Sequence, residues 1–311
     1  MNTKPYNAID HLRCALIVLV ILIHIVNFGD LYPYTKACIN AFFMPAFLLI
    51  TGYLTNIRKP LGHFARYLGQ IAIPYTLLVT GFAVLSLHLP VRDGLSEFTP
   101  QTLGRVLLVT GIGPYWFLHT MMLCAVLYHT AFRLPERWGQ GLRLCVFATL
   151  LILLAHFTPL LSLRNAAFYF AGACLRLLHG SFTTFFRPTA WALLPFLAVV
   201  VHPACLQQGE LTAATLSAAF FCFVPALTAR LPPSWATAVG YVGRNTFPIY
   251  LFHPLFTLAA KFYLPLFRFD PSGLLHTLTT VLLGLVGSLA IAWTMDRLRL
   301  TWVFGRGSML R

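Results

Sequence analysis

The sequence predicts an all-α, polytopic membrane protein of about ten transmembrane helices, with N- and C-termini cytoplasmic. Three observations predict it. Apolar runs of membrane length recur along the whole chain. Only 10% of the 311 residues are charged, 58% are hydrophobic, and mean hydropathy is +0.76, whereas a soluble domain carries about 25% charged residues. The basic residues of the connecting segments also fall unevenly on the two sides that alternate crossings define.

A hydrocarbon core of about 30 Å is crossed by about 20 apolar residues in a helix. The first run, 11–28, lies between Asp10 and Asp30, and the second, 37–56, between Lys36 and Arg58. The third, 68–89, follows Arg66 and ends at Pro90. Segment 100–112, "PQTLGRVLLVTGI", is too short and interrupted to span and reads as an interfacial or re-entrant helix. The runs at 114–132, 142–158 and 166–179 follow, the last of them short. The remaining runs are 189–206, 211–229, 246–264 and 274–296. The expectation is one integral-membrane domain over 1–311, without a cleavable leader, because no small-residue cleavage site follows the first run.

With the N-terminus inside, 16 of the 22 basic residues are inner and 6 are outer, Lys36, Arg92, Arg105, Arg164, Lys261 and Arg268. The inner group includes Lys4, Arg13, Arg58 and Arg66. This is the positive-inside asymmetry. The net charge of +14 therefore points to anionic membrane lipids and to a phosphorylated ligand, not to nucleic acid. The seven cysteines are scattered through apolar runs with no CxxC pair, so they read as small buried hydrophobes; no metal site is expected. All eight carboxylates fall at span ends or in loops, which argues against an ion-coupled carrier.

The first run carries Arg13 and His24, both expensive in a membrane. Eleven residues at about 100° each bring them to within about 20° on one helix face, roughly 16 Å apart along the axis. Alone, Arg13 reads equally as a topology anchor, and His24 as a packing hydrogen bonder. Together they suggest an enclosed cavity in which a neutral imidazole takes a proton from a hydroxyl. Trp116 and His119 open the fourth span from outside, His119 near the level of His24. In "GRNTFPIYLFHP", Tyr250 and His253 are neighbours on one face near mid-membrane, and Pro248 and Pro254 are expected to kink or open the helix.

Five stretches in order are similar to the acyltransferase-3 family of bacterial integral-membrane acyltransferases, in particular its sugar O-acetylase branch. Arg13, ten residues, then His24 matches the family's first-helix signature. "FFMPAFLLITGYL" (42–54) resembles the second-helix stretch ending in Ser-Gly-Tyr, with Thr51 in place of serine. "RYLGQIAIPY" (66–75) resembles the basic third-helix entry, with Gln70 where a second arginine is frequent. "YWFLHTMML" (115–123) resembles the Trp-Phe-Leu segment, and "VGRNTFPIYLFHPLF" (242–256) the late Tyr-Leu-Leu-His stretch.

The resemblance implies transfer of an acetyl group from acetyl-CoA to a hydroxyl of a glycan or lipid-linked sugar, at the bacterial inner (cytoplasmic) membrane. It assigns His24 and Arg13 to catalysis, and Arg13, Arg66, Tyr250 and His253 to the donor. Trp116 and His119 go to the acceptor sugar. No fused extracytoplasmic domain is expected. The donor is cytoplasmic while His24 lies toward the outside, so either its long arm threads inward or an acyl-histidine forms; the sequence leaves both open. The competing class is a transporter or flippase for a lipid-linked sugar or small anion, and a catalytically dead sensor of the same fold is a third.

Overall fold

The computed structural model describes residues 7–57, 59–88, 94–206 and 209–311. Lys4, Arg58 and Arg92 of the charge asymmetry, Asp93, and Leu89 at the end of the third run lie outside the described residues.

The described chain is helical, with no strand. It begins with α1 (Ala8–His24), α2 (Val26–Leu31), α3 (Pro33–Leu54), α4 (Leu61–Ser86) and α5 (Pro100–Arg105), which continues as a π-helical turn, Val106–Thr110. A 3-10 turn, Gly113–Tyr115, leads into α6 (Trp116–Ala131), followed by α7 (Gly139–Phe157), α8 (Leu163–Leu178) and the short α9 (Phe182–Phe185). Then come α10 (Leu193–Val201), α11 (Pro203–Leu206), α12 (Glu210–Thr228), α13 (Pro233–Arg244), α14 (Thr246–Tyr263) and α15 (Leu274–Arg297).

Among the described residues, six helices are long and apolar enough to cross a membrane, and up to seven if one bent pair is a single span. That pair is the segment Pro100–Thr110, expected to be interfacial or re-entrant, and Gly113–Ala131, bent by 46°. Each of the ten predicted runs contains a helix, but α1 has 17 residues, α8 has 16, and α10 has nine. The chain is a polytopic helical membrane protein.

Local chemistry sets several boundaries. Asn7 caps α1 by accepting from the Ile9 N–H at 3.0 Å. The first run is predicted to continue to 28, but α1 stops at His24: Ile25 takes extended torsions, φ −80° and ψ 108°, before α2 starts. The run at 189–206 is likewise interrupted at His202, ahead of Pro203, whose ring disfavours a helical residue before it. In the loop before α15, Asp270 accepts from the Ser272 N–H and hydroxyl and from the Leu275 N–H, capping that helix.

Two corrections concern the late chain. Helix α13, "PSWATAVGYVGR", belongs to no predicted run. Helix α14 is continuous through Pro248 and Pro254, so of the expected kink or opening the opening does not occur. Pro248 falls in its first turn, where no intrahelical N–H is needed.

Contacts divide the chain into two compact units. The first comprises Met1–Phe47, His179–Leu300 and Ser308–Arg311. In it α1 packs against α12, α13, α14 and α15, and α14 against α15. The backbones of α1 and α13 approach so closely that a Cβ on Gly243 would stand 1.7 Å from the Asp10 carbonyl oxygen. An aromatic group of Phe42, Phe196, Phe220 and Phe223 ties the early part of α3 to α10 and α12.

The second unit comprises Leu48–Leu178 and Thr301–Gly307. Its core is Tyr128, Phe147 and Tyr169 on α6, α7 and α8, with Tyr128 and Phe147 stacked at 4.7 Å. The end of α3 meets α8 through reciprocal glycines. A Cβ on Gly52 would stand 2.0 Å from the Tyr169 carbonyl oxygen, and one on Gly172 1.9 Å from that of Leu49. Close backbone approach through small residues is a standard solution where lipid supplies no hydrophobic drive for helix pairing.

Candidate functional site

In the first unit, Arg13 and His24 both face α14, as the shared-face spacing predicts. Arg13 Nη2 donates to Thr246 Oγ1 at 2.5 Å, across 233 residues of sequence. Its Nη1 lies 3.6 Å from Asp10 Oδ1, one helical turn earlier. Asp10 Oδ2 is 4.0 Å from Arg244 Nη1, at the end of α13. Two guanidiniums thus flank one carboxylate.

His24 lies at the other end of α1. Its Nδ1 is 2.6 Å from the Val20 carbonyl oxygen. A carbonyl only accepts, so Nδ1 carries the proton and Nε2 presents the lone pair. The His253 ring packs edge-on against it, centroids 5.3 Å apart at 68°. His253 is fully buried. Its Nδ1 lies 3.2 Å from the Ile249 carbonyl and 2.9 Å from that of Tyr250, which fixes the same tautomer. Its Nε2 is buried with no hydrogen-bond partner. Tyr250 is buried too, with its ring 5.9 Å from that of His253. The structure therefore brings four predicted residues, Arg13, His24, Tyr250 and His253, onto the α1–α14 contact.

In the second unit, Arg66 is exposed near the start of α4, and its guanidinium makes no ion pair or hydrogen bond among the described residues. One turn on, the Gln70 carbonyl accepts from Arg306 Nη1 at 3.5 Å, so an arginine from far along the chain stands at that position of α4. Lys59 lies 4.5 Å over the Tyr67 ring. Trp116 begins α6 and packs against Phe117. His119 stacks on Tyr75 at 6.1 Å, and the Tyr75 hydroxyl donates to the Leu107 carbonyl of the π-helical turn at 2.8 Å.

The model of an acyltransferase domain, acyltransferase-3, matches residues 6–297. The chain belongs to the acyltransferase-3 family. No curated protein and no solved structure matches it. It is therefore a multi-pass membrane protein of an acyltransferase family.

Sequence reasoning missed four residues that the structure sets against the flagged stretches: Asp10, Arg244, Thr246 and Arg306. Asp10 precedes Arg13 by three residues, a helical-neighbour spacing that announces an ion pair. Arg244 and Thr246 lie inside "GRNTFPIYLFHP", adjacent to the residues that stretch does flag. No local signal marks Arg306. The second-helix motif also has a packing meaning: Gly52 allows the approach to α8, and the Tyr169 hydroxyl donates to Thr55 Oγ1 at 2.8 Å.

Proposed function

We propose that this acyltransferase moves an acetyl group from acetyl-CoA to a hydroxyl of a glycan or lipid-linked sugar, as in the sugar O-acetylase branch, in a bacterial cytoplasmic membrane. The observation that carries the proposal is the imidazole pair. With Nδ1–H of His24 held by Val20, Nε2 is free to accept a proton. The acceptor hydroxyl gives its proton to His24 Nε2 and its oxygen attacks the thioester carbonyl. The carbon–sulfur bond breaks, and the coenzyme A thiolate leaves and is protonated. Such general-base assistance is typically worth about 10²–10⁴ in rate. His253, with its own Nε2 unpartnered beside His24, is a second acceptor in the same apolar surroundings.

Arg13 and Arg244 around Asp10 offer guanidinium donors suited to a phosphate or to the polarised donor carbonyl. Arg66 and Arg306 supply two further guanidiniums for coenzyme A phosphates. Trp116 and His119 would receive the sugar face. Ten crossings with both termini cytoplasmic fit the charge asymmetry and the helix found in each predicted run.

The test is transfer of labelled acetyl from acetyl-CoA to envelope glycan by purified protein in lipid, read by mass spectrometry. Wild type should transfer. His24→Ala should lose about 10²–10⁴ in rate while keeping its thermal midpoint. Full activity in His24→Ala would remove the imidazole from the mechanism. Sugar translocation without any acetyl transfer would favour the flippase reading.

A further inference from the structure

A cavity of about 320 Å³ lies in the first unit, beneath the loop that joins α14 to α15. Asn27, Arg268, Asp270, Gly273 and His276 line it, with Leu31, Phe267 and loop prolines as an apolar wall. Its size is at the small end of ligand pockets, about 300–1,000 Å³, so it admits one ring-sized molecule, not a coenzyme.

His276 is 1% exposed. Its Nε2 lies 3.1 Å from the Ala260 carbonyl oxygen. That carbonyl can only accept, so Nε2 carries the proton and Nδ1 is a lone-pair acceptor. Nδ1 is buried and has no partner. A buried unsatisfied acceptor is costly, but this nitrogen exposes almost no surface to the cavity, so His276 forms part of the wall and makes no contact to a ligand. The carboxamide of Asn27 and the guanidinium of Arg268 have no hydrogen bond or ion pair among the described residues. Asp270 does not compete for the ligand, since both its oxygens accept from the loop and the first turn of α15.

The geometry points to this cavity as a binding site for one anionic sugar residue, a hydroxylated ring bearing a carboxylate or phosphate. Arg268 holds the anion, and Asn27 takes a hydroxyl. Asn27 stands three residues after His24, so the ring would be the anionic residue of the acceptor. That last step rests on the acetyl-transfer reading above; the binding site itself does not.

The test is calorimetric binding to the purified full-length protein in lipid nanodiscs. The probes are glucuronate, glucose 1-phosphate, glucose and inorganic phosphate. One or both anionic sugars should bind at least about tenfold more tightly than glucose and than phosphate, since one charge-assisted contact is worth that much. Whether the uronate or the phosphosugar is stronger identifies the anion. Arg268→Gln, on an exposed loop, should reduce this preference at least about tenfold with the thermal midpoint kept. Asn27→Leu should weaken all three sugars and leave phosphate unaffected. Equal binding of glucose, or of phosphate alone, would overturn the assignment, and so would an unchanged preference in Arg268→Gln. If none of the sugars binds while His24-dependent acetyl transfer persists, the cavity assignment falls alone. If the anionic sugars bind and no acetyl transfer is found, the acceptor role falls with the acyltransfer reading and the site stands.

Discussion

His253 places a buried nitrogen without a partner against the proposed base, so its replacement should separate stability from activity. His253→Phe keeps a flat ring and removes the unsatisfied atom. It should hold or raise the thermal midpoint, because apolar replacement of an unsatisfied buried group is neutral or favourable. Acetyl transfer should nevertheless fall about tenfold or more; an unchanged rate would reduce His253 to packing. A second residue-scale expectation concerns Asp270. The Ser272 hydroxyl and then the Leu275 N–H hold its carboxyl below the ordinary 3.8. The folded value lies below the unfolded one, so its stabilising contribution is complete above about pH 4 and is lost as pH falls through the folded value. Asp270→Ala should therefore lower the thermal midpoint at pH 7, with a gap to wild type that closes in strong acid.

The helices give a sharper contrast between glycines. Gly172→Ala puts a Cβ 1.9 Å from the Leu49 carbonyl oxygen, a backbone atom that cannot swing aside, so α3 and α8 must separate. Overpacking of this kind costs about 1–3 kcal/mol, and the thermal midpoint and the yield of folded protein should both drop. Gly81→Ala, inside α4 with nothing within 4 Å, should instead stabilise by about 0.5–1 kcal/mol. At this scale the sequence is informative where composition changes abruptly. All ten apolar runs contain a helix, although 189–206 is read as one run and breaks at His202, ahead of Pro203. The end of α1 at Ile25 is not legible, because no glycine or proline marks it and the run stays apolar through the break. Helix α13 escapes because its twelve residues are short for a crossing and mix Ser, Thr, Gly and Arg with the apolar positions. In the site, Arg13 and His24 are legible through their spacing on one helix. Thr246 and His253 are joined to them only by tertiary packing, which no local pattern encodes.

Across the whole molecule, alternate crossing makes a statement about sides. A reporter that fluoresces only in the cytoplasm should be bright when fused at the C-terminus. One that is active only outside should work when inserted in the loop between α14 and α15; the reverse pattern would invert the orientation and the predicted charge asymmetry. That loop also connects to the interruption at Ile25. Had α1 continued straight, Asn27 would lie one turn further along the same axis as His24. The extended torsions at Ile25 redirect the chain, and three residues span at most about 11 Å. An acceptor ring with a hydroxyl held by Asn27 can thus present to His24 only hydroxyls within about that reach of the held one. Regioselectivity of acetylation would then be governed by where one helix breaks, and products should carry the ester on the anionic residue or its immediate neighbour.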